Sequence, residues 1–302
     1  MSTVLGAGGY GKRGIRLVKV TRRPDHHELR DVTVDVQVGG DLRPLYEDGD
    51  NTGALATDSM RNAVYALARR HPLTDPEPFA LALVDHFLRA PRVGQVRVDL
   101  TERRWRRLDA GGGPHPHAFG RAGGGVRTAS VSGSGDRRRV RAGVSELPVL
   151  RTTGSGWAGF LRDEFTTLPD TDDRILATVV SATWTYHEDL DGLWDLDFGR
   201  CWEHARERLL SAFADHRSPS LQHTLYRMGG AVLDALDDVE RVQLTLPNQH
   251  HLLVDLAPFG LDNPGEVFVA ADQPHGLISG TVVRDGHPPA GGAAAAARSP
   301  RR

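Results

Sequence analysis

Alternation of apolar and polar positions marks the first strands. Ile15 to Val20 is strand-like, and Val32, Val34, Val36 and Val38 alternate with Thr33, Asp35 and Gln37, the pattern of a half-buried antiparallel strand. The spacing then turns helical. Met60, Ala63, Val64, Leu67 and Ala68 fall on one helical face, with Asp58 placed to cap its start, and Asp75-Pro76 opens a second helix carrying Phe79, Leu83 and Phe87. Alternation returns at Val96, Val98 and Leu100, in a strand that can run to Trp105, and another strand is predicted around Val126 to Val131.

The second half follows the same order. Strand material at Leu147 to Leu150 and Ile175 to Tyr186 precedes a helix with Trp202, Ala205, Leu209, Ala212 and Phe213 on one face. Ser218 is placed to cap the next helix, which carries Leu221, Leu225, Met228, Val232 and Leu236, and strands return at Val242 to Leu246 and at Leu252 to Leu256. Both halves read as two strands, two helices and returning strands. This predicts a duplicated α+β unit with an antiparallel sheet covered by helices on one face. Gly111 to Gly113 and Gly123 to Gly125 mark turns, and Ser132 to Arg139 reads as a flexible loop. The expected division is a flexible start over 1–9, a first domain over 10–143 that ends near Gly143, a second over 144–285, and a disordered tail over 286–302, where Pro288-Pro289, Gly291-Gly292 and an alanine run have nothing to pack.

Composition narrows the class of partner. A formal net charge of -2 over 302 residues, with no basic stripe interleaved with aromatics, gives no pull toward nucleic acid. No apolar run is long enough for a membrane helix, the N-terminus lacks a basic-then-apolar signal, and Ser299-Pro300-Arg301-Arg302 is not a peroxisomal address. With Cys201 as the single cysteine, the expectation is a soluble cytoplasmic protein without disulfides. Nearly every cation is arginine, and Lys12 and Lys19 are the only lysines. A guanidinium does not give up its proton near neutral pH, whereas an ammonium in a desolvated site can. A lysine kept in so arginine-rich a chain is therefore a candidate base, and composition alone does not separate the two.

Three local motifs have ordinary readings. Gly6-Ala7-Gly8-Gly9-Tyr10-Gly11 matches a dinucleotide-binding fingerprint, but a β-like run rather than a helix follows it. Pro114-His115-Pro116-His117 lacks a third ligand at metal spacing and reads as a turn entering a strand. In Asn248-Gln249-His250-His251 the adjacent histidines of a strand point to opposite faces, so only one of them reaches any given site.

Read together, several stretches carry a resemblance. Tyr10-Gly11-Lys12, Asp50-Asn51, Ala56-Thr57-Asp58-Ser59, the run Gly159 to Leu168 (GFLRDEFTTL), Asp173-Arg174-Ile175-Leu176-Ala177-Thr178, Ser220-Leu221-Gln222, Leu246-Pro247-Asn248-Gln249-His250 and Pro274-His275-Gly276-Leu277-Ile278 resemble the urate oxidase family in order and spacing, over residues 10 to 284. The resemblance implies tandem tunnelling-fold domains, a homotetramer with active sites at subunit interfaces, and oxidation of urate by molecular oxygen and water to 5-hydroxyisourate and hydrogen peroxide, with no metal and no organic cofactor.

It also implies roles. Lys12, Thr57 and His250 form the catalytic group: Lys12 takes a proton, Thr57 relays it, and His250 orients the relay and the attacking water. Arg174 and Gln222 clamp opposite edges of a flat anion, and main-chain groups of Leu221 and Asp58 complete the purine contacts. Asn248 and Thr57 hold oxygen, then peroxide, and Ile278 walls the pocket. The Lys12 and Thr57 elements come from one subunit and the Arg174 and Gln222 elements from its neighbour. Two positions depart from the family pattern: Trp157 stands where a phenylalanine stacks on the purine, and Gln249 where a lysine commonly precedes the histidine. These departures favour one alternative, a purine-binding protein of the same fold with lost or altered catalysis. A pterin or guanosine triphosphate enzyme of this fold class would need a zinc ligand set that the sequence does not offer.

Overall fold

The computed structural model describes residues 3–188 and 192–285; the tail expected from residue 286 onward lies outside them. Strands β1 (Gly9–Arg22), β2 (His27–Gly40) and β3 (Val93–Glu102) pair antiparallel, with helices α1 (Thr57–Arg70) and α2 (Pro76–Phe87) between β2 and β3. A short ribbon of β4 (Trp105–Asp109) and β5 (Pro114–Arg121) precedes β6 (Val126–Ser134). The second half supplies β7 (Arg137–Arg151), β8 (Leu176–Tyr186), α3 (Phe198–Ala214), α4 (Leu221–Ala235), β9 (Val239–Leu253) and β10 (Phe268–Val283). All but β4 and β5 join one antiparallel sheet in the order β1-β2-β3-β6-β7-β8-β9-β10, with β1 and β10 at its edges.

The period-two pattern decides which face is covered. Val32, Val34, Val36 and Val38 pair in register with Glu102, Leu100, Val98 and Val96, and the valines and leucine of these rows are buried beneath the helices. Thr33, Asp35 and Gln37 face the other, helix-free side, as do Arg97, Asp99 and Thr101 in β3. Phe79, Leu83 and Phe87 of α2 are fully buried against β3 and β6, each contributing roughly 1.5–3 kcal/mol. In the second half Leu221, Leu225, Met228 and Val232 of α4 cover β9 and β10.

Two devices join the halves. The sheet runs unbroken through the β6–β7 hairpin, so Ser132 to Arg139 is paired strand around a turn at Gly135, where a flexible loop was expected. Gly143 sits inside β7, opposite Thr128 and Thr183. Arg127 of β6 forms the second device: it donates to Asp75 (2.8 Å), Glu77 (2.6 Å) and the Phe198 carbonyl (3.3 Å), tying the start of α2 to the start of α3. Trp202 of α3 donates to the Gly143 carbonyl at 2.8 Å.

Other expectations need correction. Ala56, not Asp58, holds the N-cap position of α1; Asp58 lies in the first turn and pairs with Arg61 and Asn62. Ser220 caps α4 by accepting from the His223 N–H at 3.1 Å, while Ser218 is buried behind the helix start. Of the strand expected at Leu252 to Leu256 only Leu252 and Leu253 are strand, as the end of β9, and the returning strand is β10. The glycine-rich start leads into β1 at Gly9 with no helix after it, which removes the dinucleotide reading. Among the described residues no helix is long and apolar enough to cross a membrane.

Candidate active site

The predicted site residues fall into two groups on the helix-covered face, at opposite ends of the sheet. Lys12 of β1 is in register with the buried Val36, and Thr57 is the first residue of α1. Local sequence places them. Gly11 packs so closely on β2 that a Cβ there would lie 2.0 Å from the Val36 carbonyl oxygen. Gly14, at φ 70°, forms a bulge between Lys12 and Ile15 that is anchored by Asp35, which accepts from the Gly14 N–H (2.6 Å) and from Arg13 (2.9 Å). The Tyr10 hydroxyl accepts from the Leu55 N–H at 2.8 Å and so fastens the segment before α1 to β1. Asp50 accepts from the Thr52 N–H (2.9 Å) and from Arg92 (3.0 Å), contacts that hold its carboxyl below the usual range and shape the preceding loop.

Lys12 is half-buried and has no hydrogen-bond or ion-pair partner among the described residues. Lys19, by contrast, donates to the Ala68 carbonyl at 2.8 Å and to the His71 carbonyl, closing the last turn of α1. Burial pushes its ammonium down from the ordinary value.

The second group gathers at the start of α4 and the adjoining ends of β8, β9 and β10. Arg174 stands just before β8; its Nε is buried without a partner, and burial pushes its guanidinium down. Its neighbour Asp173 accepts from Thr153 Oγ1 and the Gly154 N–H, both at 2.6 Å, which fixes the chain direction into β8. Leu221 is buried and Gln222 exposed in the first turn of α4. Asn248 is opposite Thr178 on one side and Gly276 on the other, Ile278 is opposite the buried Leu246, and His250 is opposite Ala271. Asn248 and His250 share the face of Leu244 and Leu246, so of the histidine pair His250 is the one on the helix side. Trp157 bridges to Thr171 through N–H···O bonds of 2.7 and 2.9 Å, and its ring stacks on Phe160 at 5.6 Å and 11°.

Sequence reasoning assigns no site role to Thr178, which enters only within a family-like stretch, or to Ser155. The Oγ1 of Thr178 and the Oγ of Ser155 are buried without partners, as is Arg174 Nε, three of nine such side-chain atoms among the described residues. The signal was available for Thr178, a polar residue on the inward register between Leu176 and Val180.

The two groups do not meet within the chain. Six strand intervals separate β1 from β9, roughly 29 Å along the sheet. His250 lines a cavity of about 240 Å³ with Ala177, His251 and Ala271. Three larger concavities, of about 910 Å³ beside Leu17 to Arg23, about 600 Å³ beside Leu150 to Gly154 and His216, and about 510 Å³ beside Arg97 and Arg139, contain none of the predicted site residues. At the other histidine motif, His115 Nδ1 accepts from the N–H groups of His117 and Ala118, and no cluster of three or more potential metal ligands occurs among the described residues.

A duplicated α+β unit, joined into one antiparallel sheet with helices on a single face, defines the class: tandem tunnelling-fold domains. The family model described as uricase matches residues 8–132 and 140–279. The uricase of Arthrobacter globiformis is 44% identical over 284 residues, covering 94% of this chain and 91% of that protein. The uricase of Aspergillus flavus is 37% identical over 291 residues, covering 92% and 96%. The crystal structure of the Arthrobacter globiformis uricase superposes with a TM-score of 0.90 at 43% identity, over 96% of this chain and 98% of that one. Urate oxidase from Bacillus sp. TB-90 shares the fold, with a TM-score of 0.80 at 22% identity. The chain belongs to the uricase family, oxidoreductases acting on urate.

Proposed function

We propose that the protein oxidises urate with molecular oxygen and water to 5-hydroxyisourate and hydrogen peroxide, without metal or organic cofactor, in a cytoplasmic homotetramer whose sites lie between subunits. Uricase family membership supports the reaction. The observation that carries the site is the pair of half-sites on one sheet face, each at a helix start and each beside an unpaired edge strand. An edge strand exposes unmet backbone groups and offers a template on which another chain can pair. When β1 of one subunit lies beside β10 of another, Lys12 and Thr57 approach Arg174, Gln222, Asn248, Ile278 and His250.

The chemistry follows from residue type. Arg174 offers two parallel donors to one edge of the urate anion, and Gln222 a donor and an acceptor to the other, with main-chain groups of Leu221 and Asp58 completing the purine contacts. Lys12, with no side-chain partner among the described residues, takes the second urate proton through Thr57. The electron-rich dianion reduces oxygen, held by Asn248 and Thr57, and the pair recombines as a peroxide at the purine ring. Water oriented by His250 replaces that peroxide.

The test is loss of near-ultraviolet urate absorbance with matching hydrogen peroxide formation, using chelator-treated protein. Well-folded tetramer that turns nothing over would overturn the proposal. One observation favours a second reading, a purine-binding protein with altered catalysis: the Trp157 ring is already stacked on Phe160 rather than standing free for a purine. Tight urate or xanthine binding without oxygen consumption would select it.

A further inference from the structure

Behind the first turn of α4 lies a chain of side chains that the reaction itself does not use. His216 follows the end of α3, and its Nδ1 lies 2.7 Å from the Ala212 carbonyl oxygen. A carbonyl only accepts, so Nδ1 carries the proton and Nε2 of the neutral ring is an acceptor. Nε2 lies 3.0 Å from Thr224 Oγ1, and Thr224 Oγ1 lies 2.7 Å from Ser218 Oγ. The Ser220 carbonyl oxygen also lies 3.0 Å from Ser218 Oγ and 3.3 Å from Thr224 Oγ1, but only a hydroxyl proton from Thr224 satisfies Nε2, so Thr224 donates to His216 and Ser218 is left as the donor to Thr224. Thr224 and Ser218 are both fully buried.

This chain connects the binding segments. Thr224 belongs to the turn that carries Leu221 and Gln222. The Ser218 N–H donates to the Gly154 carbonyl at 2.9 Å, and its carbonyl accepts from the Gly156 N–H at 2.8 Å, immediately before Trp157. Arg151 adds donors to the carbonyls of Phe213, His216 and Gly154. Burial and the neighbouring Arg151, His223 and Arg227 push the His216 pKa down, favouring the neutral ring that the geometry requires.

We propose that His216 is a positioning residue: through Thr224 and Ser218 it holds the Leu221–Gln222 turn of α4 in register with the Trp157 segment, and so sets the grip on the purine without touching it. The inference rests on the urate-oxidising reading above. Gln222 and Leu221 hold the substrate equally in ground and transition states, whereas proton transfer belongs to Lys12 and Thr57. Loosening the turn therefore acts on KM and spares kcat.

Three variants test this in the full-length protein. His216→Asn keeps a donor for Ala212 but loses the acceptor for Thr224. Thr224→Val removes the hydroxyl at nearly unchanged shape. His216→Gln returns an oxygen to the Nε2 position. The first two raise KM for urate roughly fivefold to tenfold with kcat within about twofold, the expectation for one lost buried hydrogen bond. Combined, they do no more than either alone. His216→Gln stays within about twofold of the native KM. An unchanged KM in folded Thr224→Val, or kcat falling with KM and no rescue by glutamine, overturns the inference. Absence of urate turnover by the native protein would instead defeat the functional reading, so the two failures are distinguishable.

Discussion

The two lysines of an otherwise arginine-rich chain have different work. Lys19 closes the last turn of α1 by donating to Ala68 and His71, whereas Lys12 lies on the helix-covered face with no side-chain partner among the described residues. Arginine can also donate to carbonyls, so Lys19→Arg should leave kcat unchanged, and Lys19→Met should cost about 1 kcal/mol of stability and little activity. Lys12→Arg keeps charge and reach but not the ability to act as a base, and should lower kcat by roughly 100-fold or more with the melting temperature unchanged. Steady-state rates beside thermal melts separate the two positions. Equal rates for native protein and Lys12→Arg would remove the lysine from the chemistry.

Among the elements, α2 is held by a charge arrangement with one cation and two carboxylates. Arg127 serves Asp75, whose side chain is 21% exposed, and Glu77, which is fully buried. Burial drives the Glu77 carboxyl up to about 7, against the pull of Arg127 and with a further push from Asp75. A carboxyl raised in the folded state supports stability below its ordinary value near 4.5, and that support is lost as pH rises through about 7. Glu77→Gln should therefore flatten the dependence of melting temperature on pH across this window; parallel curves for the two proteins would show that Glu77 stays ionised. Such a contact was not legible in the sequence, because Glu77 and Arg127 come from elements whose packing is a tertiary outcome. Strands and helices with uninterrupted periods, β2, β3, α1 and α4, were legible. β10 was not, because Pro274, Gly276 and Gly280 interrupt its alternation and its register shifts between Ala271 and Gly276. The caps went wrong for a similar reason: Ser218 and Ser220 are both good cap residues, and only burial of Ser218 against Thr224 and the Gly154–Gly156 segment tells them apart.

For the whole molecule, the family resemblance implied that the Lys12 and Thr57 elements and the Arg174 and Gln222 elements come from different subunits, and the fold holds the two sets at distant ends of one sheet. That division has a consequence no single-chain site would share. Lys12→Met removes the base from the β1 end, and Arg174→Met removes the clamp from the far end. Each homogeneous variant should be inactive, since every site then lacks one half. In the assembly proposed above, a two-fold pair of subunits would build each site from the β1 end of one chain and the β8–β9 end of the other. A mixed pair therefore holds one site with both defects and one with neither. Co-refolding equal amounts makes about half the pairs mixed, with one of their two sites intact, so about a quarter of native activity should return. The KM of that fraction should equal the native value, because its sites are native in composition. Mixing folded variants without dissociation should restore nothing. If co-refolded protein stays as inactive as its parents, each site is built within one chain, and the distance between β1 and β9 must then be closed by a rearrangement of the sheet itself.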